Sequence, residues 1–392
     1  MTQVYPPPAA AGGAGAAATP GAHVLLIGVG SYPHLGAGEK NLVEEPMGLG
    51  QLTSPAPSVG ALFEWFRGRT LAPPRQVGYN NPYVPLASIE ICCSPREVPC
   101  ADGANFVVEE ATKANIEACF GRWLQRCKQH PGNISVLYFC GHGVMVANHY
   151  LLASDFGTDE NQPWSSAFDI TTTLKALERE LAGPIYFFID ACRQIPRALS
   201  GKLGANPLAL RPADLDKAIV NTSRALYEAA GEGRQAFGPP AEPSRFTTAL
   251  IQSLSGYAGR KIPGVHRWEV NGDDLANSIR TLLEIYVKQG AKRQILDPAV
   301  LEPTTFHVAT AQPMVKVALD LLPPPQRANF LLHLKQNGLS KERRDAAGCP
   351  LDFEVGSGIY ELGAYHKVDQ GISHVLEPEN LSPPAWSYVF TL

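Results

Sequence analysis

The chain has 392 residues, a net charge of −4 and 18% charged residues, so no basic field invites a nucleic-acid polymer. A hydrophobic share of 45% supports a sizeable core, enough for one large domain plus a small one. No run approaches the roughly 18 apolar residues of a membrane helix, and no charged n-region precedes an apolar h-region. Neither a membrane contact nor a signal peptide is therefore expected. The 8 cysteines are irregularly spaced, and no paired Cys or His spacing suits zinc. A reducing compartment fits, and the cytoplasm is the expected location.

Residues 1–21 are Ala, Gly and Pro with little else and read as a disordered N-terminus. From His23 onward, strand-like and helix-like runs alternate. Strands are expected over 23–28, 86–92, 134–140, 185–189, 224–230 and 305–308. Helices are expected over 58–67, 111–128, 171–181, 245–254 and 272–288. That alternation predicts an α/β domain over 22–311, with a mostly parallel sheet covered on both faces. Beyond 312 the pattern becomes short alternating runs between Pro and Gly: 315–321, 330–334, 351–355, 360–365 and 386–390. These predict a small C-terminal β-sandwich-like module over 312–392.

Two segments carry the chemistry. Phe139-Cys140-Gly141-His142-Gly143 and Ile189-Asp190-Ala191-Cys192-Arg193 each close an apolar run that reads as a strand buried on both faces. Open α/β sheets place their sites at the carboxyl ends of the strands. A His and a Cys at two such ends can meet across one rim. The thiolate is the attacking form of cysteine, and an imidazole titrates near neutrality. His142 can thus take the thiol proton of Cys192 and return one to a leaving amine. The amides of Gly143 and Cys192 are candidates for an oxyanion hole, worth roughly 3 kcal/mol per donor. Asp190, a carboxylate at the end of an apolar strand, needs a role to offset its burial.

On these residues the chain resembles the caspase-like cysteine peptidases, the group of caspases, metacaspases and paracaspases. The likeness spans about 22–310. It rests on the first strand, the strand-His-Gly segment, the strand-Asp-Ala-Cys segment and the helix start Ser244-Arg245-Phe246-Thr247-Thr248-Ala249-Leu250. The His lies 50 residues before the Cys, the spacing of the caspase signature. The resemblance implies a caspase-like three-layer sandwich, Cys192 as nucleophile, His142 as general base and acid, and no cofactor or metal. Protein or peptide is the implied substrate. In metacaspase-like members the Asp two residues before the Cys receives Arg or Lys, so Asp190 is the expected substrate-binding residue. The second pocket acid of metacaspases has no counterpart in Leu52-Thr53-Ser54-Pro55-Ala56-Pro57-Ser58-Val59. The loop over 193–216 is the family's activation loop, and its Arg193, Arg197, Lys202 and Arg211 are candidate self-cleavage points. Segment 224–230 is the implied partner for the substrate backbone. Bacterial members imply an effector protease in defence or cell death, silent until an activating ligand or partner protein arrives.

Rival readings are weaker. Gly28-Val29-Gly30 and Gly48-Leu49-Gly50 lack the third glycine of a dinucleotide fingerprint. Asp155, Asp159 and Glu160 form an acidic loop that reads as a solvated turn ahead of a calcium site. The other cysteines read as core or surface thiols. The alternative from a different class is a catalytically silent caspase-like sensor or scaffold that binds its partner through the C-terminal module.

Overall fold

The computed structural model of the chain describes residues 19–40, 49–69, 78–100, 103, 105–159, 161–193, 207–221, 223–230, 239–264, 267–309, 311–369 and 372–392. The expected disordered stretch over 1–18 lies outside them. Two compact units emerge, one of 1–251 with 271–308 and one of 252–270 with 309–392.

The first unit is built on a six-stranded sheet. Its strands are β1 (Ala22–Val29), β2 (Leu86–Ser94), β3 (Ile134–Gly141), β4 (Ile185–Ala191), β5 (Arg224–Glu228) and β6 (Asp297–Leu301), in the order β6-β5-β4-β3-β1-β2. All neighbours are parallel except β5 and β6, which are antiparallel. Every residue of β1, β3 and β4 is buried, as continuous apolar strands covered on both faces must be.

Helices α1 (Pro55–Phe66), α2 (Lys113–Cys127), α3 (Ile170–Leu177), α4 (Arg245–Gln252) and α5 (Gly272–Lys288) fall where the 3.6-residue pattern predicts them. Pro55 opens α1, where its missing N–H costs nothing. Thr112, Asp169 and Asn271 cap α2, α3 and α5 by accepting a backbone N–H three residues on. Alternation along the strands sorts the layers. Leu137 and Phe139 join Trp123 of α2 and Leu174 of α3 in one core. On the opposite face, Tyr138 reaches Thr247 of α4 and Tyr227 reaches Gly272 of α5. Gly28 faces Val59 of α1, and a Cβ there would lie 2.8 Å from the Val59 side chain. The result is the anticipated three-layer α/β sandwich.

The second unit holds one core formed by Val315, Val317, Leu319, Leu332, Leu334, Phe353, Leu362 and Phe390, among others. Met314–Leu322 pairs with Leu351–Gly356 and Ala385–Thr391 in one sheet, while Phe330–Gln336 pairs with Leu339–Asp345 and Gly358–His366 in another. Burial alternates along Met314–Leu322, as in a sheet with one wet face. The predicted runs beyond 312 all form strands. Leu339–Asp345 was not foreseen: its Leu-Ser-Lys-Glu-Arg-Arg-Asp sequence is an almost wholly exposed, charged edge strand with no apolar alternation to read.

Candidate active site

Gly141 of β3 and Ala191 of β4 are register partners in adjacent parallel strands. His142 and Cys192, each one residue further on, therefore leave the sheet side by side at the same carboxyl rim. His142 is buried, and its Nε2 lies 2.7 Å from the Gly50 carbonyl oxygen. A carbonyl only accepts, so Nε2 carries the ring proton and Nδ1 is left with its lone pair. Burial lowers the imidazole below its ordinary 6.5, against a smaller raising effect of the Gly50 bond. The ring is therefore neutral at pH 7, as a base must be.

Tyr32 supports it from behind. The His142 backbone N–H donates to the Tyr32 hydroxyl (2.8 Å), and the two rings sit 4.8 Å apart between centroids. Gln51 accepts from the Tyr32 N–H (2.8 Å) and donates to the carbonyls of Tyr32 (2.9 Å) and Gly36 (3.0 Å). Gly36 and Gly50 also form a bridge. The stretch 30–54 thus supplies the group that fixes the histidine tautomer. Sequence reasoning missed Gly50 and Tyr32. A backbone acceptor leaves no residue-type signature, and Gly48-Leu49-Gly50 is the only local signal.

Cys192 is partly exposed and in no disulfide. Gly143 begins a short antiparallel sheet of Gly143–Met145, His149–Leu152 and Ala167–Asp169. A Cβ at Gly143 would lie 2.7 Å from the Cys192 carbonyl oxygen, so only glycine fits. His142 and Leu152 share a ladder hydrogen bond, as do Val146 and Asn148. By the alternation of antiparallel ladders, Gly143 then turns its N–H away from the partner strand.

A second histidine, also missed, lies beneath. His149 is 1% exposed, with Nδ1 2.8 Å from Glu228 Oε1 and Nε2 3.2 Å from the Cys192 carbonyl oxygen. Glu228 Oε2 lies 3.1 Å from Arg193 Nη1, which is 2.5 Å from Asp297 Oδ2. Carboxylate and carbonyl both accept, so each ring nitrogen of His149 faces an acceptor. This network holds the Cys192 carbonyl and the Arg193 side chain that follows it. His149 sits on a strand of only 4 residues, and nothing in the sequence links it to Glu228, 79 positions away.

Asp190 points to the opposite face of β4. It accepts from the hydroxyls of Ser244 and Thr247, the latter at 3.2 Å, and contacts the side chains of Cys140 and Tyr138. Burial pushes its carboxyl up from 3.8 to about 6, against the smaller effect of these bonds. Among the described residues no Lys or Arg pairs with it. Ser58 accepts the Ser244 N–H (2.9 Å) and touches Tyr138 and Cys140.

Other expectations change. Arg224–Glu228 pairs with β4 on one side and β6 on the other, so its backbone is already committed and cannot take a substrate strand. Asp155 and Asp159 accept backbone N–H groups of Lys113, Asn161 and Gln162 as turn caps; Glu160 lies outside the described residues. Arg193 is buried in its ion pairs and Arg211 binds Glu180 (2.7 Å), while Arg197 and Lys202 lie outside the described residues. No helix among the described residues is long and apolar enough to cross a membrane.

A caspase domain profile matches residues 93–293, which is 201 of the 392 residues. An uncharacterized protein of Sinorhizobium fredii (strain NBRC 101917 / NGR234), y4kE, is 28% identical over 315 residues, covering 77% of this chain and 90% of its own. With the parallel sheet and the two strand-end motifs on its rim, the chain belongs to the caspase-domain family of cysteine peptidases.

Proposed function

We propose that the protein is a cysteine endopeptidase that cuts after Arg or Lys through a Cys192–His142 dyad. Nδ1 of His142 takes the Cys192 thiol proton, and the thiolate attacks the scissile carbonyl carbon. The amides of Gly143 and Cys192 receive the developing oxyanion. His142 then protonates the leaving amine, and a water activated by the same ring hydrolyses the thioester. Asp190, buried and with no cationic partner among the described residues, receives the guanidinium or ammonium of the preceding residue. The arrival of that cation favours the ionised carboxylate. No cofactor takes part.

The observation that carries the reading is the paired exit of His142 and Cys192 beside Gly141 and Ala191, with Gly50 leaving Nδ1 free to act as base. The role that follows is a cytoplasmic effector protease of bacterial defence or cell death, under control of a ligand or partner. That role is argued from the family likeness alone.

Fluorogenic peptides bearing Arg, Lys, Asp or Leu before the cut test the proposal, with wild type, Cys192→Ala, His142→Ala and Asp190→Asn. Both alanine variants are expected to lose turnover, and Asp190→Asn to lose basic substrates selectively. A peptide chloromethyl ketone ending in Arg, read by mass spectrometry, reports on Cys192 without need for turnover. Hydrolysis that persists in Cys192→Ala would end the mechanism, and an unchanged Arg preference in Asp190→Asn would end the pocket assignment.

A further inference from the structure

Cys92 of β2 and Cys119 of α2 are both fully buried, and their sulfurs lie 2.8 Å apart. Glu109 Oε2 is 3.5 Å from the Cys119 sulfur, and the Arg122 guanidinium is 3.0 Å from it. Arg122 also reaches Glu109 (3.3 Å) and Glu90 (3.2 Å). The Cys92 sulfur faces the Asn115 carbonyl at 3.6 Å. Two thiols and a carboxylate within 4.8 Å of one another could hold a divalent metal. The spacing argues otherwise: two thiolates on a tetrahedral zinc, each about 2.3 Å from it, sit roughly 3.7 Å apart. The observed separation is closer to a bond than to shared coordination. The Arg122 guanidinium stands against the Cys119 sulfur, where a bound cation would be repelled, and sets the two thiols apart.

We infer that Cys92 and Cys119 form a reversible oxidation site, closed to a disulfide by small hydroperoxides. The two thiols have different parts. Cys119, touched by Arg122, is the one that attacks the oxidant. Cys92 stays a thiol, pushed far up by its bond to Cys119 and by burial. The Cys119 thiolate attacks a peroxide oxygen; an S–O bond forms as the O–O bond breaks and hydroxide leaves. The Cys92 sulfur then attacks the sulfenic sulfur, and its proton goes with the departing oxygen, released as water. The thiols lose two electrons in total. Hydrogen peroxide becomes two waters once the hydroxide takes up the proton Cys119 gave. A dithiol reverses the step by exchange. The bond would cross-link the edge strand β2 to α2 and close a loop of about 28 residues.

The test uses full-length Cys192→Ala protein, so it does not depend on any peptidase activity. After hydrogen peroxide, non-reducing digestion should yield a Cys92–Cys119 linked peptide with the loss of 2 hydrogens, and Tm should rise by about 5–10 °C until dithiothreitol is added. Cys119→Ala and Cys92→Ala should abolish both signals. Arg122→Gln keeps both thiols and should slow bond formation about tenfold, so the inference survives if an alanine variant folds poorly. Free, fully alkylated Cys92 and Cys119 after peroxide would overturn it. So would sulfinic acid at Cys119 without a linked peptide, or one equivalent of zinc lost on mutating the pair.

Discussion

At the scale of single residues, two titrations set the pH behaviour. In its proposed role His142 must be neutral to act as base, and its lowered value places that limit below 6.5. In its proposed role Asp190 would attract a cation only when ionised, above about 6. For an Arg substrate, kcat/KM should therefore fall as pH drops through about 6. A Leu substrate should lose activity only where His142 protonates, and Asp190→Asn should erase the difference between the two profiles. The same group bears on stability with a definite sign. Its folded value of about 6 exceeds the unfolded 3.8, so stability falls as pH rises between them and the full penalty acts above about 6. Asp190→Asn should raise the unfolding free energy read from urea denaturation at pH 7.5 by on the order of 1–3 kcal/mol, and hardly at all at pH 4. His149 supports the Cys192 carbonyl rather than the reacting atoms. His149→Gln should lower kcat roughly 10- to 100-fold with KM nearly unchanged, and should slow Cys192 alkylation between pH 6 and 8. Equal alkylation profiles would leave His149 as packing only.

Elements explain which parts of this were legible in the sequence. His142 and Cys192 could be found because each closes an unbroken apolar run, and a run buried on both faces ends at a rim. Asp190 could be found because a carboxylate closing such a run is out of place. Gly50 and Tyr32 could not, since their contribution is a carbonyl and a phenol held in place by Gln51 and the Gly36–Gly50 bridge. Glu228 carries no sequence signal of its contacts because its partners His149 and Arg193 come from other segments. The cysteine pair was hidden for a similar reason: β2 and α2 bring together positions 27 apart that share no motif. The same strand and helix are joined by Glu90, whose side chain is 0% exposed and which pairs with Arg122 and Arg126. Removing one side of such a network leaves buried charge uncompensated. Glu90→Ala should cost about 3–4 kcal/mol by urea denaturation while leaving relative peptide preferences intact.

For the whole molecule, the pattern changes near 312, where alternating short runs replace amphipathic helices, and those runs form β-strands of the second unit. What the pattern could not show is that 252–270 belongs with it, because that stretch is too short and irregular to carry a period of its own. Gly259 packs on Pro313, and Lys316 lies 5.0 Å from the Tyr257 ring centroid, tying the early segment to the late one. Three chain passages therefore join the units, near 251, 270 and 308. One scission at 309–312 leaves 252–270 still covalently attached to the first unit and still packed with the severed strands. A protease site inserted there should give two bands under denaturing conditions and one peak on gel filtration. Shedding of the C-terminal strands as a free fragment would refute this. Nicking alone is thus a poor way to discharge this module: anything that dislodges it must melt the shared packing, so it is better suited to a tethered part than to a removable cap.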